Sequence, residues 1–374
     1  MQPTVIDLFA GCGGGSIGFA RAGFRIVAAV EIDENAASSF EQNIGVNPVT
    51  KDIRDVKSTS LLRKARLHRG QCTLVFGCPP CQSFTVMRRG AIESPKDQVR
   101  NALSEEYVRV IRDVFPRHIA FENVPGMLNG RWRERFDAML AALKELGYQV
   151  VSDVLDAADF GVPQHRRRLL VVGSRVTNPV LPVATHAKNG ADGLLPYVTV
   201  RDAIGELPRL SAGERAAEDL YHRARRHSEL NLRRLRAVPE GGGRRDLPAE
   251  LQLKCHENHD GHYDVYGRMW WDRPAPTLTS GCTNITRGRF AHPEQDRAIT
   301  LREAMLLQTF PTETILIGND DEKALQIGNA VPPLLAQRIA ECILDMERTA
   351  LHEARIGGGN FRRPSAATTT CLRP

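Results

Sequence analysis

Aromatic residues are scarce in this chain: Phe, Tyr and Trp make up 6% of its 374 residues. Its core must therefore be built mainly from aliphatic side chains. Lysine is also scarce, with 8 against 42 arginines. That bias suits bidentate contacts to phosphate and guanine; a GC-rich coding sequence would produce it equally well. No apolar run is long enough to cross a bilayer, and a strand pattern begins within the first few residues, where a signal peptide would stand. The eight cysteines are scattered, without the spacing of a disulfide framework. These absences lead to the expectation of an intracellular protein in a reducing compartment. The formal charge of +6 is mild, and it permits a polyanionic partner without requiring one. The length suits two or three domains, or one large domain carrying an insertion.

The most telling stretch present is Gly77-Cys78-Pro79-Pro80-Cys81-Gln82-Ser83-Phe84. It follows the apolar run Thr73-Leu74-Val75-Phe76, which reads as the end of a buried strand. Two successive prolines carry no backbone N–H and disfavour helix, so the chain leaves the sheet extended. A thiol then stands at the carboxyl edge of a strand, where open α/β sheets place their ligand crevice. Cys81 is a candidate nucleophile on this reading, and the rivals are a structural cysteine or a redox or metal pair with Cys78.

Val5 to Phe9 is a short apolar strand, followed by the glycine loop of residues 11–18 and a helix ending near Gly23. Gly13, Gly15 and Gly18 fit G-x-G-x-x-G, a loop that lets backbone approach a ligand at a helix N-terminus. A second strand over 24–30 ends in Glu31, an acidic residue suited to a ribose hydroxyl. At this point the ligand could be NAD or S-adenosylmethionine. Asp52-Ile53 follows a further short strand. Residues 83–101 look like a loop beside the thiol, 103–115 an amphipathic helix, and 118–121 a strand ending in Glu122-Asn123-Val124. Glu122 becomes a candidate acid because it shares a strand edge with Cys81. Residues 132–146 and 148–155 read as helix and strand. Gln164, Arg166 and Arg168 then alternate into a buried strand and share one face if extended.

In order, the chain carries Asp-Leu-Phe-Ala-Gly-Cys-Gly-Gly at 7–14, Pro-Pro-Cys-Gln at 79–82 and Glu-Asn-Val at 122–124. Gln-His-Arg-Arg-Arg follows at 164–168, Arg-Pro-Ala-Pro-Thr at 273–277 and Gly-Asn-Ala-Val-Pro at 328–332. With these motifs the sequence resembles the DNA (cytosine-5) methyltransferases over about residues 3–175 and 266–345. The resemblance implies a Rossmann-like α/β fold with a mostly parallel, doubly wound sheet and a smaller irregular target-recognition domain. It implies S-adenosylmethionine as cofactor, with Phe9 on the adenine, Gly11, Gly13 and Gly14 lining the pocket, and Glu31 on the ribose. Ile32 would pack on the adenine, Asp52 and Ile53 would fix its edge, Pro80 and Leu103 would line the cavity, and Asn329 and Val331 would close it. Cys81 would be the nucleophile, Glu122 would face N3 of the base, and Arg166 and Arg168 would be the nearby positive groups. The target cytosine would be flipped out of the duplex. A bacterial, cytoplasmic, nucleoid-associated monomer is the corresponding expectation, with a cognate restriction or defence protein as a further partner.

From residue 177 the α/β rhythm is lost. We expect a catalytic domain over 1–176, target recognition over 177–322, a returning helix over 323–352 and a disordered tail over 353–374. Arg223, Arg225, Arg226, Arg233, Arg234 and Arg236 crowd a predicted helix, and Arg244 and Arg245 follow Gly241-Gly242-Gly243. Either they contact phosphate and guanine, or they form a solvated face. The DNA contacts expected are Gln82, Ser83, Arg233, Arg234, Arg244, Arg273, Thr277 and Asn284. Cys255, His256, His259 and His262 form a compact group without a partner at finger spacing, so no metal is expected. Cys78 is expected only to pack. The alternatives are a methyltransferase of the same family acting on transfer RNA, a nicotinamide oxidoreductase with a Cys78/Cys81 redox pair, and a DNA-binding protein that has lost catalysis.

Overall fold

The computed structural model describes residues 2–80, 103–253 and 263–356. Cys81, Gln82 and Ser83, the Cys255/His256/His259/His262 group and the chain beyond 356 lie outside the described residues.

Seven strands form one sheet: β1 (Thr4–Leu8), β2 (Arg25–Glu31), β3 (Val49–Thr50), β4 (Leu74–Gly77), β5 (His118–Asn123), β6 (Gln149–Asp156) and β7 (Arg167–Ser174). Their spatial order is 3-2-1-4-5-7-6. Pairings among β1 to β5 are parallel, and β7 runs antiparallel to both β5 and β6. Every residue of β1, β4 and β5 is buried. Helices cover both faces of these strands, which is why they read as continuous apolar runs. The helices are α1 (Gly14–Arg21), α2 (Glu34–Ile44), α3 (Ser58–Ala65), α4 (Leu103–Val114) and α5 (Arg131–Glu145). One face packs Ile6, Val75 and Phe121 with Tyr107, Ile111 and Leu143. The chain moves outward from β1 to β2 and β3 and then returns to β4 on the other side, so the topological switch lies between β1 and β4.

A two-residue pair, β8 (His186–Ala187) and β9 (Leu195–Pro196), follows the sheet. This segment packs on the first domain, with the Thr185 and Tyr197 side of it bonded to Asp159 and the Cys342 thiol on Val180 O. The chain then enters the second region at α6 (Val200–Ile204), where Val200 N donates to Arg273 O. That region holds α7 (Glu229–Ala237) and two apolar clusters, one around Met269, Leu278 and Met305 and a smaller one around Leu235, Tyr266 and Ile285. Among its described residues, β pairing is limited to isolated bridges such as Arg268↔Ala291.

The chain returns through α8 (Leu301–Leu307), α9 (Asp320–Asn329) and α10 (Pro333–Ile356). Thr300 and Glu303 form the capping box of α8. Residues 328–331 end α9 and turn the chain, so the segment expected as one returning helix over 323–352 is divided between α9 and α10. Buried Leu335, Ile339 and Ile343 of α10 cover the second face of the sheet with Phe19 and Phe76. Gly18 makes this possible, because a Cβ there would lie 2.2 Å from Pro333 O. Gly18 therefore serves helix packing. The helix runs past residue 352 to Ile356.

Candidate active site

The loop after β1 carries backbone strain at Phe9, a non-glycine residue at φ 61°, and left-handed glycines at Gly11 (φ 54°) and Gly13 (φ 95°). Glu31, at the end of β2, holds this loop: Gly11 N donates to Oε2 at 2.7 Å, and Ile32 N and Asp33 N donate to Oε1 at 2.8 and 2.9 Å. Burial pushes the Glu31 carboxyl up. A Cβ on Gly14 would lie 2.6 Å from Val331 O, so the absence of a side chain lets residue 331 close against the loop. A Cβ on Gly11 would meet nothing within 4 Å among the described residues, so this side of the loop is open to them. Ile32 borders the loop and is 63% exposed. Ile53 and Leu103 are buried in one apolar cluster, against which Phe9 packs. Asp52 caps the turn at 53–55 and pairs with Arg54 at 2.6 Å, which holds its carboxyl below the usual range. Asn329 and Pro80 are exposed, and Val331 is buried. An open glycine-lined cradle, an uncovered isoleucine and two carboxylates fit an adenosine-bearing cofactor.

Asp7 was not anticipated. It is fully buried, Ser16 Oγ donates to its Oδ2 at 2.6 Å, and its Oδ1 has no partner among the described residues. Burial pushes this carboxyl up to about 7. The available signal was an acidic residue inside an otherwise apolar strand.

The chain leaves β4 at Gly77, where Tyr107 of α4 lies 2.5 Å from the position of a Cβ. Cys78 N donates to Leu8 O at 3.3 Å, extending the parallel pairing, and Asn123 Nδ2 holds Pro79 O at 3.3 Å. The segment just before Cys81 is thus tied to β1 and β5.

Glu122 lies on β5 opposite Leu170 of β7, two residues beyond Arg168. Its side chain is 4% exposed, and Arg168 Nε stands 3.0 Å from Oε1. The other oxygen, Oε2, accepts from the Cys78 thiol at 2.9 Å. Cys78 therefore does more than pack, contrary to expectation. A buried carboxylate needs such partners because desolvation without them costs several kcal/mol. The thiols of Cys12, Cys72 and Cys282 are pushed up to about 12 by burial, and that of Cys342 to about 11, so they stay protonated at neutral pH.

Arg166 was expected beside Arg168 at the base. Its guanidinium is buried at 2% exposure and holds the second region: Nη1 donates to Leu278 O, and Nη2 to Gly328 O and Ala330 O, all at 3.0 Å. Gln164 joins it, accepting from Leu278 N and donating to Gln308 Oε1 at 3.0 Å. The motif at 164–168 thus holds Glu122 with one arginine and the wall at 328–331 with another.

The expected DNA residues divide. Arg233 and Arg273 are exposed, with Arg273 stacked 4.8 Å over Trp270. Arg234 is buried, its Nε donating to Leu251 O and its Nη1 to Tyr266 Oη, so these contacts are with scaffold. Arg244 is partly buried, Thr277 donates to His165 O, and Asn284 accepts from Thr286 within its own turn. Arg223 and Arg225 lie outside any helix and pair with Asp320 and Asp321. No group of three or more metal-ligating side chains occurs among the described residues. Nor is any helix among them long and apolar enough to cross a membrane.

Residues 3–345 match the family model of the C-5 cytosine-specific DNA methylases. The chain belongs to that family. It is 37% identical to the Type II methylase M.HgiDII of Herpetosiphon aurantiacus, over 92% of this chain and 95% of the relative. It is 35% identical to the Type II methyltransferase M1.HphI of Haemophilus parahaemolyticus, over 92% and 88%. Among solved structures it is similar in fold to a candidate DNA modification methyltransferase encoded within a prophage (E. coli), with TM-score 0.69 and 22% identity over 92% and 99% of the two chains. The Entamoeba histolytica methyltransferase EhMeth follows at TM-score 0.60, 17% identity and 92% and 98% coverage. The α/β sheet domain is therefore the Rossmann-like methyltransferase fold expected, and the chain is a DNA cytosine-5 methyltransferase.

Proposed function

We propose that this enzyme methylates C5 of a cytosine within a specific duplex DNA sequence, with Cys81 adding covalently to C6 of a flipped-out base. The observation that carries the reading is Glu122, buried and held by Arg168 at the strand edge from which the Cys81 loop departs. Cytosine C5 alone is a poor nucleophile. A Cys81 thiolate at C6, with proton donation or sharing by Glu122 at N3, makes C5 enamine-like. Loss of the C5 proton then expels Cys81. S-adenosylmethionine, when bound, supplies an electrophilic methyl group. The glycine loop with Phe9, Glu31, Ile32, Asp52, Ile53, Leu103 and Val331 would hold it, with Pro80 and Asn329 at the rim. Target recognition falls to the region centred on 200–300, with Arg233, Arg244 and Arg273 as candidate contacts and Gln82 and Ser83 beside the base. The protein acts as a cytoplasmic monomer, either as the modification arm of a restriction or other defence system or alone; the Type II names of its relatives support the former.

Expression in a host without cytosine methylation, followed by bisulfite sequencing, tests this. Methylation at C5 confined to one short motif is expected. Unmethylated DNA from cells holding folded, cofactor-binding protein would overturn the reading, and methylated transfer RNA in the same cells would replace it.

A further inference from the structure

We propose that Cys78 is a positioning residue for methyl transfer: its thiol holds Oε2 of Glu122, so that the carboxyl group keeps one orientation toward the pyrimidine edge. The inference rests on the role given to Glu122 above.

Three observations carry it. First, the two carboxyl oxygens of Glu122 face partners on different elements: the Cys78 thiol donates to Oε2 at 2.9 Å, and Arg168 Nε forms an ion pair with Oε1 at 3.0 Å, outside hydrogen-bond alignment. The terminal torsion of a glutamate is soft, and a single partner leaves it free to swing. Two partners on opposite oxygens fix the plane. Second, the Cys78 backbone is itself fixed: its N–H bonds Leu8 O, and the next carbonyl, that of Pro79, accepts from Asn123. The direction of its Cβ is therefore set by β1 and β5, the latter being the strand that carries Glu122. Third, the other described thiols, Cys12, Cys72, Cys282 and Cys342, each donate to a backbone carbonyl. Among the described thiols, Cys78 is the one turned onto an ionisable side chain. A thiol is also a weak donor. It can orient the carboxyl group without displacing the proton that Glu122 must share with N3.

The test is a double-mutant cycle on the full chain, reading single-turnover methyl transfer to cytosine DNA together with KM for DNA and for S-adenosylmethionine. Cys78→Ala is expected to slow transfer about tenfold, with both KM values held within about twofold. Cys78→Ser keeps a donor and should recover most of the rate. In a Glu122→Gln background the same Cys78→Ala change should cost less than about twofold, because the carboxylate it orients is gone. The inference is overturned if Cys78→Ala transfers at the wild-type rate, if it costs as much in the Glu122→Gln background, or if Cys78→Ser is as slow as Cys78→Ala. It is also overturned if the loss appears as weakened cofactor binding. A wild-type protein that methylates no DNA would instead sink the methyltransfer reading and this inference with it.

Discussion

Arginine does different work in the two halves of this molecule. In the sheet domain, most backbone polar groups are satisfied along β1 to β7; Arg109 and Arg175 bond carbonyls of the connecting segments, and Arg168 partners Glu122. Between residues 200 and 300 regular ladders are missing, and buried carbonyls need other donors. Arginine side chains supply them. Arg268 donates to Val238 O, His292 O, Gln295 O and Leu235 O. Arg289 donates to Gly241 O, Gly242 O and Arg268 O, and Arg297 combines Leu210 O and Ala298 O with a buried pair to Glu303 at 2.7 Å. Five donors on one rigid fork suit this task in a way that lysine does not. A high arginine count therefore measures the internal scaffolding of an irregular region as well as its affinity for DNA.

The largest effect should come from removing a scaffold arginine. Arg268→Ala is expected to destabilise the protein by about 3–5 kcal/mol, since several buried carbonyls lose their donor and Asp296 is left with the more distant Arg236. Urea unfolding or limited proteolysis would measure it, and near-wild-type stability would break the contrast between the halves. Arg273 sharpens the contrast from the other side. Arg273→Ala should change stability by less than about 0.5 kcal/mol, yet weaken DNA binding and reduce its salt dependence by about one ion. Fluorescence anisotropy across a salt series would show both.

The smallest effect concerns Asp7 under the glycine loop. Its carboxyl titrates near 7 when folded, against roughly 3.9 in an unfolded chain. Between those values the folded state binds more protons than the unfolded one, so this group's contribution to stability falls as pH rises through that window. Asp7→Asn removes the titration. Without cofactor, the variant should melt roughly 2–5 °C above wild type at pH 8, with the gap closing toward pH 5. A gap that does not change with pH would mean that Asp7 is charged throughout.

What was legible in the sequence follows the same division. Strands buried on both faces leave unbroken apolar runs, and a polar residue at the end of such a run stands out; Glu31 and Glu122 were found in this way. The helices expected after the glycine loop and over 103–115 and 132–146 correspond to α1, α4 and α5. The reversal of β7 carries no local signal, since a buried strand reads alike in either direction. The split between Arg166 and Arg168 was hidden for a related reason: both fall on one face of an extended segment, and only the approach of residues 278 and 328–330 separates their partners. In the arginine-rich region, exposure could not be read from residue type. Arg233 and Arg234 are neighbours in sequence, the first exposed and the second buried against Leu251 and Tyr266.

The reaction proposed above turns on attack of Cys81 at cytosine C6. A duplex carrying 5-fluorocytosine at the methylated position tests it most directly, because a C5 that bears fluorine cannot lose the proton needed to expel the thiol. With S-adenosylmethionine present, wild-type protein should form a stable DNA adduct whose peptide mass maps to Cys81, and Cys81→Ala should form none. An adduct on Cys78, or complete turnover without an adduct, would contradict the account.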